Sequence, residues 1–220
     1  MLTRFIHRYL DPSETLLEIL FGLIMALTLT AGARLLSERH EVDPTGLAGG
    51  LLGCNVAWGI IDAVFYLLGT TFNRNQRVQF VRRLRSAASQ DEAIAAIKEE
   101  FGLEGEPAMR ASDKEAFYKS LVDLFGHAAA VRARFRREDF VAAALIVPLV
   151  SMTAIPGVVC LFLIGDAFLA LRVANVVQIC LLFLVGFGWA HYSGGSPCRA
   201  GLTIGLLGTG LVLISVALGG

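Results

Sequence analysis

Apolar residues along this chain gather into five long blocks, at 16–33, 47–71, 140–164, 170–190 and 201–218. A helix that spans a bilayer needs roughly 20 apolar residues at a rise of about 1.5 Å each. Each block is close to that length. The pattern predicts an all-α polytopic membrane protein with five transmembrane helices. A polar insert separates the second span from the third. Three regions follow: 1–71, an amphipathic N-terminal helix with transmembrane helices 1 and 2; 72–139, a cytoplasmic helical insert; and 140–220, transmembrane helices 3 to 5.

Ahead of the first block, Leu2, Phe5, Ile6 and Leu10 recur at helical spacing, with Arg4, His7 and Arg8 between them. This pattern predicts a short amphipathic helix lying on the cytoplasmic leaflet. Asp11, Pro12 and Glu14 then occupy the N-cap, first and third positions of a capping box that opens the first membrane helix. The insert reads as three helices. One continues off the second span through "NQRVQFVRRLRSA". A second starts at Ser89 with Glu92 three residues on and stops at Gly102. A third starts at Ser112 with Glu115 and leads into the third span. Pro148 and Pro156 are expected to kink that span.

Composition agrees with the pattern. The chain is 55% hydrophobic, above the 45–50% or so of soluble domains. Its formal net charge is zero, which implies no general attraction to nucleic acid. The distribution of charge says more than the sum. With the N-terminus inside, 16 Lys and Arg residues fall on the cytoplasmic side and 3 outside, and "RVQFVRRLR" lies directly beside the second span. The positive-inside rule therefore puts the N-terminus and the insert in the cytoplasm. The expected location is a bacterial inner (plasma) membrane. The N-terminus lacks the pattern of a cleavable signal. Cys54, Cys160, Cys180 and Cys198 form no CxxC pair and read as small hydrophobes. No HExxH, GxSxG or P-loop pattern is present, so no enzyme activity is expected and no permanently bound cofactor.

Candidate chemistry lies inside the apolar blocks. Asp62 sits well within the second, where a carboxylate costs about 2.5–3.5 kcal/mol on the insertion scale and is rarely idle. Asn55 shares its helical face, with Gly59 between them; Thr28, Thr30, Ser151 and Thr153 are possible partners. In the first block, Glu14, Glu18 and Met25 continue one face that begins at Asp11. Carboxylates take divalent cations and a thioether suits softer ones. The transport path is expected to run through Glu14, Glu18, Met25, Asn55 and Asp62. Gly49 with Gly53, and Gly201 with Gly205, fit close helix packing. In the insert, Glu99, Glu100, Glu104 and Glu106, with Met109 nearby, form an acidic patch that is a second candidate metal site. In the first outer loop, Glu38, His40, Glu41 and Asp43 read as a solvated run.

The number of spans, the orientation and the placement of the insert resemble those of the vacuolar iron transporter family. In that family's first helix an acid precedes a Gly-Leu-x-Asp-Gly-Leu core and an Ala-Gly end. Here Glu18, then Gly22-Leu23-Ile24-Met25, then Ala31-Gly32 follow the outline. Its second helix reads Glu-Leu-Val-Ala-Gly-Ala-Ile-Ser-Met, and Asn55 to Ala63 fits that frame. The chain looks like a divergent, bacterial-type member. It has Met25 where the family has its membrane-embedded Asp. Asn55 and Ala63 stand where the family has Glu and Met, and Asp62 where it has Ser. The resemblance implies a homodimer that exchanges protons for Fe²⁺ or Mn²⁺, with Glu18 as the entrance acid. The expected function is export or sequestration of a divalent metal from the cytoplasm. The alternative is a non-transporting scaffold or partner subunit whose polar residues only pack.

Overall fold

The structure is a computed structural model that describes residues 6, 8–37, 43–102, 110–127 and 134–218. All regular structure among them is α-helical. The elements are α1 (Pro12–Ser37), α2 (Pro44–Ser86), α3 (Gln90–Phe101), α4 (Ala111–Gly126), α5 (Arg137–Met152), α6 (Ile155–Leu163), α7 (Ala167–Ser193) and α8 (Pro197–Ala217). Five stretches are long and apolar enough to cross a membrane: Pro12–Ala33, Pro44–Arg85, Arg137–Leu163, Ala167–Ser193 and Pro197–Ile214. Bulky side chains such as Phe21, Ile60, Phe65, Leu163, Leu206 and Leu213 stand exposed on these helices. An outer surface of that kind belongs in lipid, where exposed apolar groups carry no hydration cost. The chain is built as an integral membrane protein.

Contacts divide it into two compact units, Met1–Leu67 with Arg136–Gly220, and Leu68–Phe135. In the first, the spanning helices share several small cores. Leu23 and Leu27 of α1 meet Leu182 of α7 and Val212 of α8. Ala48 of α2 meets Leu161 of α6 and Leu171 of α7. Ahead of α1, Leu10 is buried against Ala63 of α2 and Ala142 and Ile146 of α5. It therefore belongs to the packed interior. Leu2, Phe5 and His7 of the expected surface helix lie outside the described residues. The first membrane helix does begin at Pro12, with Glu14 in its first turn.

The third span is two helices. Pro148 is accommodated within α5, and the chain breaks at Thr153 and Ala154, just ahead of Pro156. A proline cannot donate to the carbonyl four residues back and its ring crowds that carbonyl, here that of Met152. The backbone answers with short three-residue hydrogen bonds, Thr153 N to Val150 O and Ala154 N to Ser151 O, both 3.2 Å.

Small residues set the closest approaches. Gly59 of α2 leaves no room for a side chain, because a Cβ there would lie 2.8 Å from the Val147 carbonyl oxygen of α5. Gly186 and Gly201 do the same between α7 and α8, where a Cβ would meet backbone atoms at 2.7 and 2.9 Å. Around Gly49 and Gly53 there is open space instead. That GxxxG pair is unused within the chain.

In the second unit, α3 and α4 pack Ala93, Ala96, Ile97 and Tyr118 against Leu84 on the last turns of α2. Ser89 caps α3, accepting from Glu92 N–H at 3.2 Å, while Glu92 accepts from Ala88 N–H at 2.8 Å. Gly102 closes the helix in the left-handed conformation at φ 54°. The second expected capping box does not form. α4 starts at Ala111, so Ser112 falls inside its first turn and bonds to Asp113, and Glu115 pairs with Lys119 at 3.0 Å. Nor does α4 run on into the third span. It ends at Gly126, and residues 134–136 precede α5 in non-helical conformation.

Gly59→Leu is expected to lower the thermal midpoint of the detergent-solubilised protein by the equivalent of about 1–3 kcal/mol, the usual cost of overpacking. Gly49→Leu, in open space, should leave the folding of the single chain unchanged. A differential scanning measurement on both variants checks the contrast.

Candidate functional site

Residues of α1 and α2 enclose a cleft of about 560 Å³. Phe21, Met25 and Thr28 line it from α1, and Cys54, Trp58 and Asp62 from α2. Each set recurs every three or four residues, so each forms one stripe along its helix. Gly22 and Val150 complete the back wall. From Cys54 to Asp62 the α2 stripe descends about 12 Å, at about 1.5 Å per residue. Asp62 is the one charged side chain among the lining residues, and most of the remaining surface is apolar.

Glu18 stands beside it. The carboxyl groups of Glu18 and Asp62 lie within hydrogen-bonding range of each other, and Glu14 is within electrostatic reach of Glu18. One Glu18 oxygen, Oε2, is enclosed with no hydrogen-bond partner. Two carboxyl groups this close share a hydrogen bond only when one of them holds a proton, because two bare carboxylates have only acceptors. The sequence separation of 44 residues is closed by the antiparallel return of α2 along α1. Glu18 therefore faces a neighbouring helix, and its position near the apolar block does not expose it to hydrocarbon.

Asn55 has another place. It is fully buried behind the cleft wall. Its Nδ2 donates to Thr153 Oγ1 at 2.8 Å and lies 3.2 Å from Gly22 O and 3.3 Å from Val150 O. Thr153 Oγ1 in turn donates to Val150 O at 2.6 Å. The side chain thus ties α1, α2 and the broken third span together. Gly22 makes room for the junction, because a Cβ there would collide with Thr153 Oγ1. Of the expected path residues, Glu18 and Asp62 come together, Met25 lines the same cleft, Glu14 lies close to Glu18, and Asn55 braces the wall.

A second polar junction, outside the expected path residues, joins α1 to α7. Thr30 Oγ1 of α1 lies 2.6 Å from Asn175 Oδ1 and 3.1 Å from Gln178 Oε1, both on α7. Gln178 is fully buried, its Nε2 without a partner and packed where a Cβ on Gly157 would be, 2.9 Å away. Its signal in the sequence is "ANVVQICLLF", which places two amides three residues apart inside an apolar run.

The acidic patch of the insert is only partly described. Glu99 pairs with Arg83 at 2.9 Å, both well exposed. Glu104, Glu106 and Met109 lie outside the described residues, and Glu100 is exposed. The Lys119 ammonium beside Glu115 holds its carboxyl below the usual carboxylate range. Between α1 and α2, Glu38, His40 and Glu41 lie outside the described residues. Asp43 caps α2, accepting from Thr45 and Gly46 N–H at 3.0 and 2.9 Å. Among the described residues no group of three or more His, Cys, Asp and Glu side chains gathers closely enough to hold a metal ion.

Asn55→Ala removes a donor from three buried acceptors. It is expected to destabilise the fold by about 1–3 kcal/mol, the cost of orphaned buried polar groups. A thermal melt that drops for Asn55→Ala, and stays put for a change at the cleft-lining Met25→Leu, would verify the division between brace and lining. No protein-family model matches the chain, and no curated protein is significantly similar to it.

Proposed function

We propose that this chain is a membrane transporter that moves a divalent cation, Fe²⁺ or Mn²⁺, out of the cytoplasm in exchange for protons. The observation that carries this reading is the pairing of Glu18 with Asp62 at the edge of a cleft between the first two spanning helices. Two carboxyl groups so placed are a device for trading a proton against a cation. The proton that links them has to leave when a metal takes both oxygens, because metal and proton compete for the same lone pairs. Acids nearer the start of α1, Asp11 and Glu14, raise the local cation concentration at a cytoplasmic mouth. Glu18 then takes the ion from water and Asp62 receives it, with the Met25 thioether available beyond. The N-terminus and the helical insert lie on the cytoplasmic side in this scheme, following the positive-inside count. The membrane is a bacterial inner membrane, and the family kinship is with vacuolar iron transporters.

The working unit is a homodimer with the first two helices near its two-fold axis. The open space beside Gly49 and Gly53, and the exposed apolar residues Leu52, Val56 and Ile60 on the same helix, support that choice. The competing reading, a scaffold whose polar residues only pack, is favoured by Asn55, which is a packing residue. It accounts less well for Asp62, which lines open volume.

Reconstituted in proteoliposomes with a pH gradient, the protein should take up Fe²⁺ or Mn²⁺ from a divalent panel. Asp62→Asn should abolish uptake while leaving the melting temperature nearly unchanged, and Glu18→Gln should reduce it less. Normal transport by Asp62→Asn, or its unfolding, would make Asp62 a packing residue. The dimer is tested apart from transport: mass photometry in mild detergent should give twice the chain mass, and Gly53→Trp should shift it towards monomer. A wild-type protein that runs as a monomer contradicts this arrangement.

A further inference from the structure

The cleft is much larger than a bare metal ion requires. Its volume of about 560 Å³ falls inside the roughly 300–1,000 Å³ typical of pockets that enclose drug-sized molecules. Its walls are apolar and aromatic, from Phe21, Ile24, Leu29, Trp58 and Val150. Trp58 stands one turn before Asp62 on α2, with 43% of its surface exposed. An indole face attracts a cation more strongly than any other side-chain ring. Asp62 then gives this otherwise apolar space a single charged end, backed by Glu18.

Such a space is poorly suited to a strongly hydrated ion along most of its length, since an apolar wall offers nothing in exchange for lost water. A cation that carries its own apolar shell has no such difficulty. Its charge is diffuse and weakly hydrated, and its substituents gain from burial against the walls. We propose that the cleft between α1 and α2 binds amphipathic organic cations, such as quaternary ammonium or phosphonium compounds with aromatic groups. The aromatic groups lie against Phe21 and Leu29, and the cationic centre sits between the Trp58 ring and the Asp62 carboxyl. The proposal needs only the cleft and its acidic end, so it stands or falls separately from metal transport.

The sequence has two tryptophans, so Trp189→Phe leaves Trp58 as the sole indole reporter. The full-length Trp189→Phe protein in lipid nanodiscs is titrated with tetraphenylphosphonium while Trp58 emission is followed. Tetraphenylmethane, neutral and of the same shape, is the control. The expected result is saturable quenching by the cation, a much smaller response to the neutral probe, and at least about tenfold weaker binding on Asp62→Asn through loss of a close charge attraction. Should Asp62→Asn fail to fold, Glu18→Gln and Asp62→Glu replace it, with weakening expected for the first and retention for the second. Equal responses to cation and neutral probe, or an affinity unmoved by these changes, overturn the proposal and leave an apolar slot for a lipid chain or a second copy. Mn²⁺ alone is the last arm. Displacement of bound tetraphenylphosphonium by Mn²⁺ supports a common acidic end, whereas a Trp58 response to Mn²⁺ with none to tetraphenylphosphonium overturns the organic-cation site and leaves the metal reading intact.

Discussion

A carboxyl group set among apolar helices must find a partner, because hydrocarbon offers no hydrogen bonds and charge is costly there. In this chain Glu18 and Asp62 are partners to each other. That pairing constrains what surrounds it. It requires α1 and α2 to lie side by side with those two faces inward, and the stripes that follow, Phe21, Met25 and Thr28 against Cys54, Trp58 and Asp62, become the walls of a cleft. The arrangement also differs from a purely structural polar contact. Asn55 and Gln178, which hold helices together, are wholly buried, whereas Asp62 borders the open volume of the cleft.

The remaining polar residues within the spans hold that geometry in place. Asn55 joins three helices at the point where Pro156 breaks the third span. Thr30 with Asn175 and Gln178 joins α1 to α7 further along. Close contacts at Gly22 and Gly59 let these bonds be made, because a Cβ at either site would push the neighbouring helix away. Association of helices in lipid relies on such packing and hydrogen bonds, since lipid tails are as apolar as leucine and no hydrophobic force draws the helices together. Asp62 is thus free to act chemically because other groups carry the folding role.

Much of this could be read from the sequence. The five spans follow from length and apolarity, their ends fall within a few residues of the expected positions, and α2 continues past its span to Ser86 as the "NQRVQFVRRLRSA" pattern predicts. Pro12, Ser89 and Gly102 marked helix ends correctly because their preferences are local. Ser112 misled because a cap also depends on where the preceding chain enters, and α4 begins two residues earlier than a cap at Ser112 requires, with Arg110 at its N-cap. The Glu18 and Asp62 pair was suggested by the cost of each acid, but only the packing of α1 on α2 could bring them together. Asn55 looked like a lining residue by its helical face. Its burial depends on the break before Pro156, a feature of another helix that no single-helix projection contains.

The central claim is that Glu18 and Asp62 act as one unit. A double-mutant cycle on Mn²⁺ affinity, measured by calorimetry on the detergent-solubilised protein, tests it most directly, using Glu18→Gln, Asp62→Asn and the double variant. A shared unit predicts strong non-additivity, with the double variant losing no more than Asp62→Asn alone. Losses that simply add would show that the two carboxyls work separately and would contradict this account.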